Sequence, residues 1–193
     1  MKRDIILAGV GGQGILSIAA IIGTAAVQSG LHLKQAEVHG MSQRGGDVQS
    51  NLRLSDKEIA SDLIPRGKAD LIISVEPMES LRYLPMLAMD GWVITNIKPY
   101  VNIPNYPPME KIMAEIDALP KHIALDADKV AQELGSVKSA NMVILGAASL
   151  FLEIDYEKLE NAIQTIFGSK GEDVVQLNLN ALRAGRKFAR EHS

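Results

Sequence analysis

Short apolar runs alternate along this chain with longer stretches of helical periodicity, the pattern of an α/β domain. The run "DIILAGV" at 4–10 is continuous in apolar residues and too short for a helix, so it predicts a buried first strand. "ILSIAAIIGTAAVQSG" follows as a helix, with Gly30 placed to cap its end. That helix is apolar on nearly every face. One face packs on a sheet, and the rest needs cover from other helices or from a second chain. "LKQAEVHG" at 33–40 and "VQSNLRLS" at 48–55 predict two more strands, joined by the polar loop "GMSQRGGDV".

The pattern repeats further on. "ADLIISVEP" at 69–77 is a strand that ends on Glu76 and Pro77, and "MESLRYLPMLA" is a helix disturbed at Pro85. "GWVITNIK" is another strand. "PYVNIPNYPPME" holds four prolines and predicts a surface connection or extended arm at about 98–109. "HIALDADKVAQELG" reads as a short strand and then a helix, with Asp126 as N-cap and Gly135 as stop. "SANMVILGAASLFLEI" is a second strongly apolar helix. "DYEKLENAIQTIF" starts at a cap-like Asp155, and 173–192 form a last helix with Arg183, Arg186, Lys187 and Arg190 towards its cation-favouring end. The fold class is therefore α/β, a Rossmann-like and mostly parallel sheet flanked by helices. Residues 1–193 form one domain, because the pieces on either side of the proline-rich connection depend on each other.

Composition narrows the function. The 193 residues are 47% hydrophobic, enough for a substantial core, and the net charge of -3 argues against nucleic acid as a partner. The absence of cysteine excludes disulfides, Cys-ligated zinc and an iron–sulfur cluster held by this chain alone. His32, His39, His122 and His192 show no ligand spacing, so no metal site is expected. His39 reads as a structural hydrogen-bonding residue. No apolar stretch is long enough for a membrane span, and the short apolar run behind "MKR" does not make a signal peptide, so a cytoplasmic protein is expected.

The candidate chemistry lies in "GVGGQGIL". Gly9, Gly11 and Gly14 fit G-x-G-x-x-G between a strand and a helix, where phosphate reaches the amides of the helix start. Gly12 and Gln13 fall inside the turn, and the Gln13 amide is a further donor. Taken alone, the pattern is weak evidence, and a tight strand–helix turn without ligand is the alternative. If the first two strands are neighbours, "GVGGQG" and "GMSQRGG" project from one edge of the sheet. Ser42, Gln43 and the Arg44 guanidinium then complete a site for a phosphorylated ligand; Arg44 in an ordinary ion pair is the alternative. Glu37 sits where a dinucleotide site would want its ribose-binding acid, or is simply a charged residue at a strand end. No catalytic set emerges: the chain has no G-x-S-x-G elbow, no P-loop and no cysteine nucleophile, and Glu76 has no identifiable partner.

Three segments together, "ILAGVGGQGIL", "AEVHGMSQRGGDVQSNLRLS" and "SANMVILGAASL", resemble the gamma-type subunit of 2-oxoacid:ferredoxin oxidoreductases. Within that family the chain is similar to the beta subunit of the indolepyruvate enzymes, from about residue 3 to 187. The resemblance implies a subunit of a complex that oxidatively decarboxylates a 2-oxoacid. That reaction uses thiamine diphosphate with magnesium, coenzyme A and ferredoxin. The thiamine diphosphate, magnesium and iron–sulfur clusters belong to a large partner subunit, and ferredoxin meets the complex rather than this chain. No cofactor is bound by this chain alone. In fused relatives the equivalent domain covers the active-site mouth and contributes to coenzyme A binding. Carried over, that implies Gly11, Gly12, Gln13 and Gly14, then Ser42, Gln43 and Arg44, and Asn141. Fused relatives have lysines where this chain has Ser42 and Gln43, which leaves Arg44 as the cation of that loop. Two other readings stay open: a self-sufficient NAD(P)-binding protein using Glu37, and a purely structural assembly subunit.

Overall fold

A computed structural model describes residues 1–39 and 45–193. Six strands form one sheet: β1 (Lys2–Val10), β2 (His32–His39), β3 (Asp47–Ser55), β4 (Ala69–Ser74), β5 (Leu87–Asn96) and β6 (His122–Leu125). Seven α-helices connect and cover them: α1 (Ile15–Gln28), α2 (Pro77–Arg82), α3 (Met109–Asp117), α4 (Ala127–Glu133), α5 (Ala140–Ala148), α6 (Tyr156–Phe167) and α7 (Glu172–His192). The strand order is β2-β3-β1-β4-β5-β6. The pairs β1/β4, β4/β5 and β5/β6 are parallel, and β3 runs antiparallel to both β1 and β2. The sheet is thus mixed, with a single reversed strand.

Strand periodicity divides the core into two layers. Ile5 and Leu7 of β1, Leu71 and Ile73 of β4, and Ile94 of β5 face the large cluster formed with α1, α5, α6 and α7. Ile6, Ile72 and Val93 point the other way, into a smaller cluster with Ile64 and Ala69. The two very apolar helices find their cover within the chain. Residues 142–148 of α5 are buried without interruption, between the sheet and α7. Gly146 and Gly185 bring α5 and α7 into backbone contact: a Cβ on Gly185 would stand 2.7 Å from the Val143 carbonyl carbon and overlap its oxygen.

Some boundaries differ from those expected. The helix after β4 stops at Arg82, because Pro85 has no amide to continue it; a 3-10 turn at Leu84–Met86 leads straight into β5. α5 ends at Ala148, where the Ser149 hydroxyl donates to the Gly146 carbonyl, 2.6 Å. α3 is absent from the expected elements, although Met109, Ile112, Met113 and Ile116 keep the i, i+3, i+4, i+7 spacing of a helix. It follows Pro107 and Pro108 and is held by only two buried side chains, Ile112 and Ile116, one turn apart.

Candidate functional site

β1 and β2 are not neighbours, since β3 lies between them. The reversal of β3 nevertheless brings both glycine-containing loops to one edge. Val10 pairs with Asp47, and His39 with Val48, so β1 and β2 end where β3 begins. The Gly11 amide donates to the Gly46 carbonyl, 2.9 Å, which fastens the two loops together. Ser42, Gln43 and Arg44 lie outside the described residues, as does the His39 side chain.

Each glycine of the turn has its own task. Gly9 is a packing glycine: a Cβ there would press on Ile15 Cδ1 at 2.8 Å. Gly12, at φ +101°, faces open space, and Gly14 caps α1 in the left-handed region at φ +79°. The Gln13 amide donates to the Val10 carbonyl, 3.1 Å, and its side-chain oxygen accepts from the Val10 amide, 2.8 Å. The Gln13 side chain is therefore folded under the turn and supports it from inside. Among the described residues, the amides of Gly12, Gly14, Ile15 and Leu16 have no protein acceptor. These are the bare donors that a helix start leaves. Asn141, from the first turn of α5, donates to the Gly14 carbonyl at 3.1 Å. The turn and α5 are thus joined across more than half of the chain.

In front of these amides opens a crevice of 540 Å³. Its walls include residues that the sequence reading did not select: Ser17, Lys138, Ser139, Phe167, Lys170 and Asn178. Lys138 sits in the 3-10 turn Val137–Ser139, and Lys170 in the 3-10 turn Gly168–Lys170, with its ammonium 5.1 Å from the Phe167 ring centre. No carboxylate lines this crevice among the described residues. A smaller hollow of 160 Å³ continues from it past Gly12, Lys138 and Asn141 to Asn96 and Asp128. There the Asn96 amide donates to Asp128 Oδ2 at 2.7 Å, and its oxygen accepts from the Ala127 amide at 3.0 Å. The whole depression lies beyond the carboxyl ends of β1, β4 and β5, where open α/β sheets hold their ligands. The Lys138 and Lys170 signal is weak in sequence, because single lysines in loops are ordinary surface residues.

Glu76 does acquire partners. The side chain is fully buried at the end of β4. Its Oε2 accepts from the Glu79 amide, 2.8 Å, and caps α2. Its Oε1 accepts from the Tyr100 amide, 3.2 Å, and from the Tyr106 hydroxyl. Burial, then the bond to Glu76, pushes the Tyr106 phenol well above its usual range, so it stays a donor. Glu76 is thus a latch for the proline-rich arm, and the arm reaches back through Asn102, which donates to the Gly45 carbonyl at 2.6 Å. Glu76→Ala is expected to lower unfolding stability by about 2–3 kcal/mol, through several buried hydrogen bonds lost at once. Chymotrypsin should then cut faster after Tyr100. An arm as protease-resistant as in the wild type would contradict the latch.

Neighbouring Glu79 is also buried. Burial pushes its carboxyl up against the opposing pull of Arg82, whose Nε donates to it at 2.7 Å. Glu37 lies on β2, two strands from the glycine turn and so about 10 Å away, and accepts from Gln35 Nε2 at 2.6 Å. That geometry does not suit an acid meant to grip a ribose held at β1. Among the described residues, no group of three or more His, Asp or Glu could hold a metal ion, and no helix is long and apolar enough to cross a membrane.

The family described as pyruvate ferredoxin/flavodoxin oxidoreductase matches residues 4–188. The chain belongs to that family. Among family members, indolepyruvate oxidoreductase subunit IorB of Archaeoglobus fulgidus is 37% identical over 96% of this chain and 94% of its own length. The subunit of the same description from Thermococcus kodakarensis is 36% identical over 98% of this chain and 97% of its own. In fold, this family chain is similar to 2-oxoglutarate:ferredoxin oxidoreductase from Magnetococcus marinus, solved with 2-oxoglutarate, coenzyme A and succinyl-CoA bound. The TM-score is 0.80 at 23% identity, over all of this chain and 32% of that one. The keto/oxoacid ferredoxin oxidoreductase gamma subunit of Geobacter sulfurreducens covers 98% of this chain and 99% of its own, with a TM-score of 0.72 at 23% identity.

Proposed function

We propose that this chain is the small subunit of a 2-oxoacid:ferredoxin oxidoreductase of the indolepyruvate type, and that its crevice receives the phosphates of coenzyme A. The observation that carries the class is the near full-length likeness to the archaeal indolepyruvate oxidoreductase subunits. The geometry supports the ligand. Bare amides at the start of α1 meet two lysines across a crevice that no carboxylate lines among the described residues. Gly11, Gly12, Gln13, Gly14 and Asn141 build the turn that presents those amides, and the family resemblance adds Ser42, Gln43 and Arg44. The chain binds and orients; thiamine diphosphate, magnesium and the iron–sulfur clusters belong to the large partner subunit, which passes electrons to ferredoxin.

The partner's place is supported by the apolar side chains left exposed at this edge. Val137 lines the smaller hollow, Leu16 lies in the first turn of α1, and Tyr100, Val101 and Ile103 lie on the arm. Water-facing groups of this kind mark association surfaces. The test is affinity purification through a tag on this chain from its native source. The expected product is a brown complex with a thiamine-containing large subunit that reduces a viologen dye, dependent on indolepyruvate and coenzyme A. Recovery of the chain alone, with saturable NADH binding, would overturn the reading.

A further inference from the structure

The other end of α7 carries a cation cluster that the crevice does not use. Arg183, Arg186, Lys187 and Arg190 are spaced i, i+3, i+4 and i+7, so they share one helix face. With Tyr156 at the start of α6 they line a hollow of 540 Å³, in which Glu191 is the one acid among the described lining residues. By helix rise, Arg186 stands about 18 Å along α7 from Val174, a residue of the crevice. The Arg186 guanidinium lies over the Tyr156 ring, 4.1 Å from its centre, and its Nη1 donates to Ser149 Oγ at 2.9 Å. Those contacts hold the fork in place before any ligand arrives.

Counter-charge is sparse around the cluster among the described residues. Of the four cations only Arg183 has a carboxylate in ion-pair range among the described residues, Glu160 at 2.8 Å. Burial first, and then the nearby Arg190 charge, lowers the Arg186 pKa from its ordinary value. The Tyr156 hydroxyl is closed off from solvent and has no hydrogen-bond partner among the described residues.

We propose that this hollow is a binding site for a phosphate-class oxyanion, held between Arg186 and Arg190 with Lys187 at its rim. Two guanidinium forks on successive helical turns suit the several acceptor oxygens of a tetrahedral dianion. Inorganic phosphate and the phosphate end of a small ester share that chemistry. An acidic stretch of a protein partner is the rival occupant. The hollow shape and the pre-ordered Arg186 favour the small ligand, and the site stands independently of the coenzyme A reading.

The experiment titrates the full chain with inorganic phosphate and, separately, with glycerol 3-phosphate, against chloride at equal ionic strength. Calorimetry should show saturable binding. Arg186→Gln and Arg190→Gln should each weaken it about tenfold or more, the scale of one charge-assisted contact. Tighter binding of the ester identifies an organic phosphate, and equal or weaker binding identifies the free ion. Arg190 is exposed, so its variant keeps the test readable if Arg186→Gln does not fold. Shifts of the Arg186 and Arg190 side-chain NMR signals in the unaltered chain give the same information. A response no greater than that to chloride, or binding unchanged in both variants, would overturn the proposal. So would salt-sensitive loss of the partner subunit in the Arg190 variant with no phosphate binding in the unaltered chain.

Discussion

Gly185→Ala melts at a temperature where the unaltered chain is fully folded. Two effects of opposite sign compete at this position. In the middle of an exposed helix, alanine would be favoured over glycine by about 1 kcal/mol. Here the new methyl meets backbone: it would stand 2.7 Å from the Val143 carbonyl carbon and 3.0 Å from the Ala147 amide nitrogen, with no flexible side chain to swing aside. Gly146 is in the same position towards Leu182 and Arg186 of α7. Relief requires α5 and α7 to move apart, and α5 is buried along 142–148, so the shift would open the main core. Overpacking then outweighs propensity, and a net loss of about 3 kcal/mol or more is expected. Urea unfolding followed by circular dichroism measures it. A variant as stable as the unaltered chain, or more so, would show that the two helices do not approach this closely. Gly146→Ala should behave alike, and the double variant should fall short of the sum, because both methyls force the same separation.

The double variant Lys138→Gln, Lys170→Gln raises the KM for coenzyme A in the complex and leaves kcat nearly unchanged. Both lysines line the crevice in front of the bare α1 amides, and no carboxylate lines that crevice among the described residues. Their loss removes attraction present equally in ground and transition states, which acts on KM alone. Hydrogen bonds to charged groups contribute about 1.5–3 kcal/mol each. Both side chains are exposed, so the lower end applies, or about tenfold in affinity for each lysine. Added salt should weaken binding to the unaltered complex more steeply than to the variant. An unchanged KM would remove the crevice from coenzyme A binding and leave the chain an assembly role.

The strands and most helices were legible because their cause is local. β1 and β4 are continuous apolar runs of strand length, α1 is an apolar run too long for a strand, α7 keeps a helical period, and Asp126 caps α4 by accepting from the Lys129 amide at 2.9 Å. Gly30 closes α1 at φ +72° as its position suggested. α3 escaped because it stands directly behind a proline cluster that reads as a connection, although Met109, Ile112, Met113 and Ile116 keep helical spacing. The glycine turn was visible as a place, and Asn141 as its companion, through the family resemblance. That Gln13 turns inward could not be seen, since its side chain bridges the nearby Val10 amide and the distant Val75 carbonyl, and the second partner is brought there only by the pairing of β1 with β4.

The sequence by itself determined the α/β class, the glycine turn at the end of the first strand, and the family. Each follows from residue spacing within a few turns of chain or from motifs that survive as text. Only the tertiary structure decided three further matters: the insertion of β3 between β1 and β2, the meeting of Lys138 and Lys170 with the glycine turn, and the capture of the proline-rich arm by Glu76. These depend on which strands pair and how closely helices pack. Such choices are made by the free energy of the whole core, which no short stretch of sequence contains.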